Sequence, residues 1–166
     1  KRKPGTWQMT EHTKKGVCYV SFPLLDAERG FVHGFSTRIG GVSEGDLSSM
    51  NLSFTRGDDP ERVRENYRRI AAAVGFETDR LVFTHQTHTN HVRVVTEADA
   101  GKGFVRERDY TDVDGLVTDV PQLVLTTFYA DCVPLFFIDP IHKAIGLSHS
   151  GWRGTVSDIA AATVRT

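Results

Sequence analysis

The densest chemistry in the chain lies in two neighbouring stretches, Tyr129-Ala-Asp-Cys-Val-Pro-Leu-Phe-Phe-Ile-Asp139 and His149-Ser-Gly-Trp-Arg-Gly-Thr155. Cys132 stands between two apolar runs, Leu123–Phe128 and Val133–Ile138, and His149 stands just past a third, Ala144–Leu147. If the second and third runs pair as a hairpin through Asp139-Pro-Ile-His142, a turn centred near residues 140–141 sets Cys132 opposite roughly residue 149. Cross-strand neighbours have Cβ atoms ~5 Å apart. A thiol and an imidazole at that separation suit a nucleophile–base pair or two ligands of one metal ion. The bland alternative is a buried structural cysteine beside a hydrogen-bonded histidine. Asp131, Trp152, Arg153 and the glycines around them weigh toward a site.

A second candidate is Thr84-His-Gln-Thr-His-Thr-Asn-His91, with a histidine at every third position. Its threonines disfavour a helix. In an extended chain His88 points away from His85 and His91, so one parity class at most faces a given site. A third candidate is Gly34-Phe-Ser-Thr-Arg-Ile-Gly-Gly-Val-Ser43. Ser36, Arg38 and the paired glycines can form a loop whose N–H groups and guanidinium bind an oxyanion. It is not a nucleotide-binding loop of the Gly-Lys-Ser/Thr type. An ordinary glycine turn is the alternative. His12 and His33 carry no independent signal.

The elements that must position these residues are mostly strand-like: Val17–Phe22, Phe31–Phe35, Leu81–Thr84 and His91–Val95, besides the three runs above. One helix is clear. Asp58 or Asp59 caps it, Pro60 suits its first turn, and Glu61–Val74 runs to Gly75 with Val63, Tyr67, Ile70 and Val74 on one stripe. The arginines between them predict a solvated face. Gly154–Thr166 also reads as helical and stops without a stop signal, which predicts that the biological chain continues. The whole is a mixed α+β chain of about one domain's length.

The 20 basic against 21 acidic residues leave a net charge of −1, which argues against a general nucleic-acid binder. No apolar run reaches the ~18 residues of a membrane span. Lys1–Gly16 is polar and lacks the hydrophobic core of a signal peptide. Two cysteines, Cys18 and Cys132, make no disulfide framework and fit a reducing, cytoplasmic setting.

These motifs together resemble the laccase-domain, or multicopper polyphenol oxidoreductase, family, whose members are read as zinc-dependent purine nucleoside phosphorylases with adenosine deaminase activity. The resemblance runs through His33–Ser43, Met50-Asn-Leu52, Gly57-Asp-Asp59, Asn66, Gln86-Thr-His88, Asp114–Asp119, Ala130-Asp-Cys132 and His149–Thr155. It implies a metal set of His88, Cys132 and His149, with Thr87 and Ser150 as conservative departures. It also implies an α+β fold, a mixed β-sandwich flanked by helices and related to the catalytic domain of cytotoxic necrotizing factor toxins. Residues 1–166 would form a single domain of this kind, incomplete at its C-terminus, because family chains run further.

The activity so implied is cleavage of adenosine, inosine, guanosine or methylthioadenosine by phosphate, with zinc-dependent deamination of adenosine. Two histidines and a thiolate leave a fourth zinc position open, where a water activated toward pKa ~7 can attack purine C6. Arg38 and Arg153 are the phosphate candidates, joined by Ser36. Asp131 is the candidate for orienting a ligand or moving a proton, beside Cys132 and His149, and Phe35 or Trp152 for stacking on the base. The expected partners are purine nucleosides and phosphate, with neither nucleic acid nor membrane. The alternatives are a copper-dependent polyphenol oxidase, a metal-free Cys–His hydrolase and a non-catalytic binding protein.

Overall fold

Lys15 and Gly16 both take left-handed backbone (φ 53° and 80°), the requirement of a two-residue hairpin turn that matches strand twist. They close β1 (Thr10–Lys14) on β2 (Val17–Ser21), with Lys14 paired to Val17. The computed structural model describes residues 8–166. Residues 1–7, the first part of the polar stretch read above as lacking a signal peptide, lie outside the described residues. These described residues gather into two compact units, one ending at Thr78 and one from Asp79 to Thr166.

In the first unit β3 (Phe35–Ser36) joins the other edge of β2, and one helical turn, α1 (Pro23–Asp26), follows β2. Of the expected strand Phe31–Phe35 only Phe35 lies in β3, which takes in Ser36 beyond it; the part before Phe35 is irregular. Helix α2 (Pro60–Val74) has the expected bounds. Asp59 caps it by accepting from the Glu61 N–H, and Gly75, at φ 104°, ends it. Val63, Tyr67 and Ile70 are buried, and so is Asn66. Asn66 donates to Ser43 Oγ and to the Ser49 and Asn51 carbonyls, and accepts from the Val42 N–H. One buried amide thereby holds both family-like loops, 34–43 and 50–52. Arg64 reaches Glu61, and Arg68 and Arg69 reach Glu65, which makes the outer face the solvated one expected.

The second unit carries the strands β4 (Leu81–Phe83), β5 (Val92–Val94), β6 (Gly115–Thr118), β7 (Val124–Thr126), β8 (Val133–Asp139) and β9 (Ala144–Ser150). β4 and β7 pair in parallel, and a second sheet runs β5-β6-β9-β8. Val82, Val95, Val113, Leu116 and Leu123 form its buried core. The C-terminal stretch is two helices, α3 (Trp152–Val156) and α4 (Ile159–Arg165), where one was expected; Asp158, at φ 61°, breaks them apart. Ile159 and Thr163 turn α4 onto the sheet, with the Thr163 hydroxyl 2.7 Å from Ser148 Oγ. The content is mixed α+β, as expected. No helix among the described residues is long and apolar enough to cross a membrane.

Candidate metal centre

Thr87, His88 and Thr89 turn three successive N–H groups onto one carboxylate, that of Asp114, at 3.0, 3.1 and 3.0 Å. The wrap puts His88 at φ 66°, a left-handed conformation that histidine tolerates better than most side chains. The stretch Thr84–His91 is therefore a turn, not the extended strand expected, and strand alternation does not decide which imidazole faces the site. His85 is drawn away into a bridge with Val113. His91 rests its Nδ1 3.2 Å from the Asp112 carbonyl. His88 alone of the three has its Nε2 near a thiol, 3.8 Å from Cys132 Sγ.

Cys132 lies just ahead of β8, and His149 near the end of β9. The hairpin register pairs Val133 with Ser150 and Pro134 with His149, two residues away from the pairing expected. Two is the period of side-chain alternation, so the expected face is kept although the pairing moves. His149 is 3 % exposed. Its N–H donates to the Asp114 carbonyl at 2.7 Å, and its Nδ1 lies 2.8 Å from Asp114 Oδ1.

The donor atoms of His88, Cys132 and His149 all lie within 4.8 Å of one another. Ligands of a tetrahedral zinc, at the usual bond lengths, stand about 3.5 Å apart. A small inward movement of the side chains would bring three donors to bonding distance and leave the fourth position open, so the donor set fits the ion. Gly151 belongs to the same geometry: a Cβ there would stand 2.6 Å from His88 Cδ2 and 3.1 Å from Cys132 Sγ. Burial first, then the Asp131 and Asp114 carboxylates, raise the Cys132 thiol above its usual range. That field disfavours a free thiolate and is relieved by a bound cation.

Asp131 is exposed, with Oδ1 3.7 Å from the Cys132 sulfur. The carboxylate in contact with the His149 ring is that of Asp114, which sequence reasoning quoted only inside the motif Asp114–Asp119. It is fully buried. Burial pushes its carboxyl up, but the N–H groups of Thr87 and Thr89, the His149 ring and the Thr89 hydroxyl outweigh this and hold it below the ordinary value. An Asp-Gly step ahead of an apolar strand was its one sequence signal. Tyr129, quoted only as the first residue of its stretch, was given no role. Its ring centroid is 5.6 Å from that of His149. Burial leads in pushing its phenol up to about 12, against the Thr127 hydroxyl bond, so it stays protonated.

His88 also lines a cleft of about 480 Å³ with Asn90, His91, Trp152, Arg153 and Val156. The Arg153 guanidinium lies 5.3 Å from the Trp152 ring centroid, and Trp152 is 72 % exposed. Ser36 and Arg38 belong to the first unit. Ser36 pairs with Tyr19 in the sheet. Arg38 donates through Nε and Nη2 to the Ser48 carbonyl, at 2.9 and 2.6 Å, so much of its hydrogen-bonding capacity fixes its own loop.

The chain is similar to known proteins along most of its length. The purine nucleoside phosphorylase YlmD of Geobacillus stearothermophilus is 39% identical over 135 residues, covering 79% of this chain and 48% of that protein. The purine nucleoside phosphorylase LACC1 of Mus musculus is 39% identical over 154 residues, covering 91% of this chain and 33% of that protein. The crystal structure of the Geobacillus YlmD superimposes with a TM-score of 0.82 at 34% identity, covering 95% of this chain and 58% of that one. The chain spans about half or less of the length of these curated relatives. A family model described as multi-copper polyphenol oxidoreductase laccase matches residues 32–166. With relatives of this identity alongside that match, the chain belongs to the multi-copper polyphenol oxidoreductase laccase family.

Proposed function

We propose that the protein is a purine nucleoside phosphorylase that cleaves adenosine, inosine, guanosine or methylthioadenosine with phosphate, and that it also deaminates adenosine to inosine in a zinc-dependent reaction. The observation that carries this reading is the convergence of His88, Cys132 and His149 beside a cleft walled by Trp152 and Arg153. The names of the relatives support the same activity. Zinc held by the two imidazoles and the thiolate supplies a Lewis acid with an open coordination position; copper is the alternative ion.

In phosphorolysis a phosphate oxygen bonds to C1′ as the bond from C1′ to the base nitrogen breaks, giving free base and ribose 1-phosphate, or methylthioribose 1-phosphate from methylthioadenosine. Arg153 offers a guanidinium that can hold phosphate bidentately. Trp152 offers an exposed indole face on which the base can stack. Asp131, exposed beside the Cys132 sulfur, is the carboxylate assigned here to moving a proton. The raised Cys132 thiol weighs against a metal-free Cys–His hydrolase, which needs a ready thiolate. One three-donor group among the described residues fits a single ion better than a multicopper array.

The test is product analysis after incubation with adenosine, with and without phosphate. Adenine with ribose 1-phosphate, formed only with phosphate, supports phosphorolysis, and inosine supports deamination. A zinc-loaded protein that yields neither refutes the assignment.

A further inference from the structure

We propose that Asp114 is the positioning residue of the metal centre, setting the turn that presents His88 and the tautomer in which His149 presents Nε2. The inference rests on the metal-centre reading above and deepens it.

Asp114 Oδ1 accepts from the His88 N–H and faces His149 Nδ1; Oδ2 accepts from the Thr87 and Thr89 N–H groups and from the Thr89 hydroxyl. All five contacts go to residues 87–89 and 149, the two segments that carry the histidine ligands. The other buried carboxylate of this unit differs: Asp99 bonds Thr96, Lys102 and Arg93, none of them near the centre in the hydrogen-bond pattern. An ionised carboxylate only accepts. The proton of a neutral His149 ring must then sit on Nδ1, which leaves the Nε2 lone pair for a metal. The same oxygen fixes the His88 N–H, so one side chain sets both imidazoles.

An amide of the same shape cannot do this. Asparagine in either orientation turns its NH2 on donors. Against the Oδ2 set it opposes two N–H groups and a hydroxyl. Against the Oδ1 set it opposes the His88 N–H and favours a His149 that accepts at Nδ1, which puts the proton on Nε2 and blocks ligation there.

Two measurements decide the matter. The first is the His149 tautomer in the metal-free native protein, read from ring nitrogen shifts with a His149→Gln variant for assignment. The expected result is Nδ1–H; a dominant Nε2–H form overturns the inference, and this arm does not depend on any Asp114 variant folding. The second is titration with cobalt(II), following the thiolate-to-metal charge-transfer band of Cys132. Asp114→Asn should lose about 10- to 100-fold in cobalt affinity. Asp99→Asn, equally buried in the same unit, should keep native affinity while losing stability. Native cobalt affinity in a folded Asp114→Asn overturns the inference and leaves the proposed function standing. A native protein that takes up no cobalt overturns the metal centre and the inference together. A cobalt-binding, Asp114-dependent protein without phosphorolysis or deamination strikes the proposed function alone.

Discussion

Gly151 has no side chain to contribute, and that is its part in the centre. An added methyl group would meet His88 Cδ2 at 2.6 Å and the Cys132 sulfur at 3.1 Å, pushing apart two of the three donors. Gly151→Ala should lower zinc affinity by at least about tenfold, since ligand displacement of this kind acts like loss of an outer partner; competition with a chromophoric chelator measures it. Cys132→Ala should abolish both phosphorolysis and deamination while circular dichroism stays native, because it removes the one anionic ligand from a partly exposed position. Cys18→Ala is the control: Cys18 is buried in β2, its sulfur faces Glu11, and its removal should leave turnover intact. Arg153→Ala should raise KM for phosphate by about tenfold or more, as expected for loss of a charge-assisted bond; the same assay on Arg38→Ala decides whether loop 34–43 takes part. At this scale Cys132 and His149 were legible from residue type and hairpin logic, and His88 from family resemblance. Asp114 was not, because a carboxylate that serves by accepting backbone N–H groups leaves no spacing pattern in the sequence.

The legibility of the elements followed their local signals. Helix α2 carries an N-cap, a proline, an apolar stripe and a terminal glycine, and its bounds matched. β1, Thr-Glu-His-Thr-Lys, shows no apolar alternation and exists through its turn and its pairing with β2. β6 opens with a glycine that could not carry a side chain, since a Cβ would stand 2.4 Å from Ser148 Oγ. The β8–β9 turn takes in Lys143 at φ 54°, a choice a non-glycine residue does not announce, so the register moved by two. The turn Glu97–Asp99 has a pH signature of its own. Burial pulls the Asp99 carboxyl up, but Lys102, the Thr96 N–H and Arg93 bring it down to about 2. Its folded pKa lies below its unfolded value of about 3.9. The associated stability, about 3 kcal/mol, is therefore present above pH ~4 and lost as pH falls toward 2. Chemical denaturation between those limits should show Asp99→Asn losing its disadvantage as the native protein acidifies.

For the molecule as a whole, zinc uptake should appear as stability. An ion bound only by the folded form, at a free concentration a hundredfold above Kd, contributes about 2.7 kcal/mol. Differential scanning calorimetry should show a higher Tm with zinc, reversed by chelator and absent in Cys132→Ala; a Tm indifferent to zinc in the native protein would count against the centre. The ligand set also has a topological consequence. His88 and Cys132 are 44 positions apart, and His149 comes later again on the neighbouring strand. Ligation would therefore staple an open chain into two rings within the unit from Asp79 to Thr166. A permanent cross-link over a span of that length removes chain entropy worth about 4 kcal/mol from the unfolded ensemble. An ion still held after unfolding would act on the denatured chain as a reversible disulfide does, and thiol oxidation at Cys132 would merge the two rings into one wider ring closed by the two imidazoles alone.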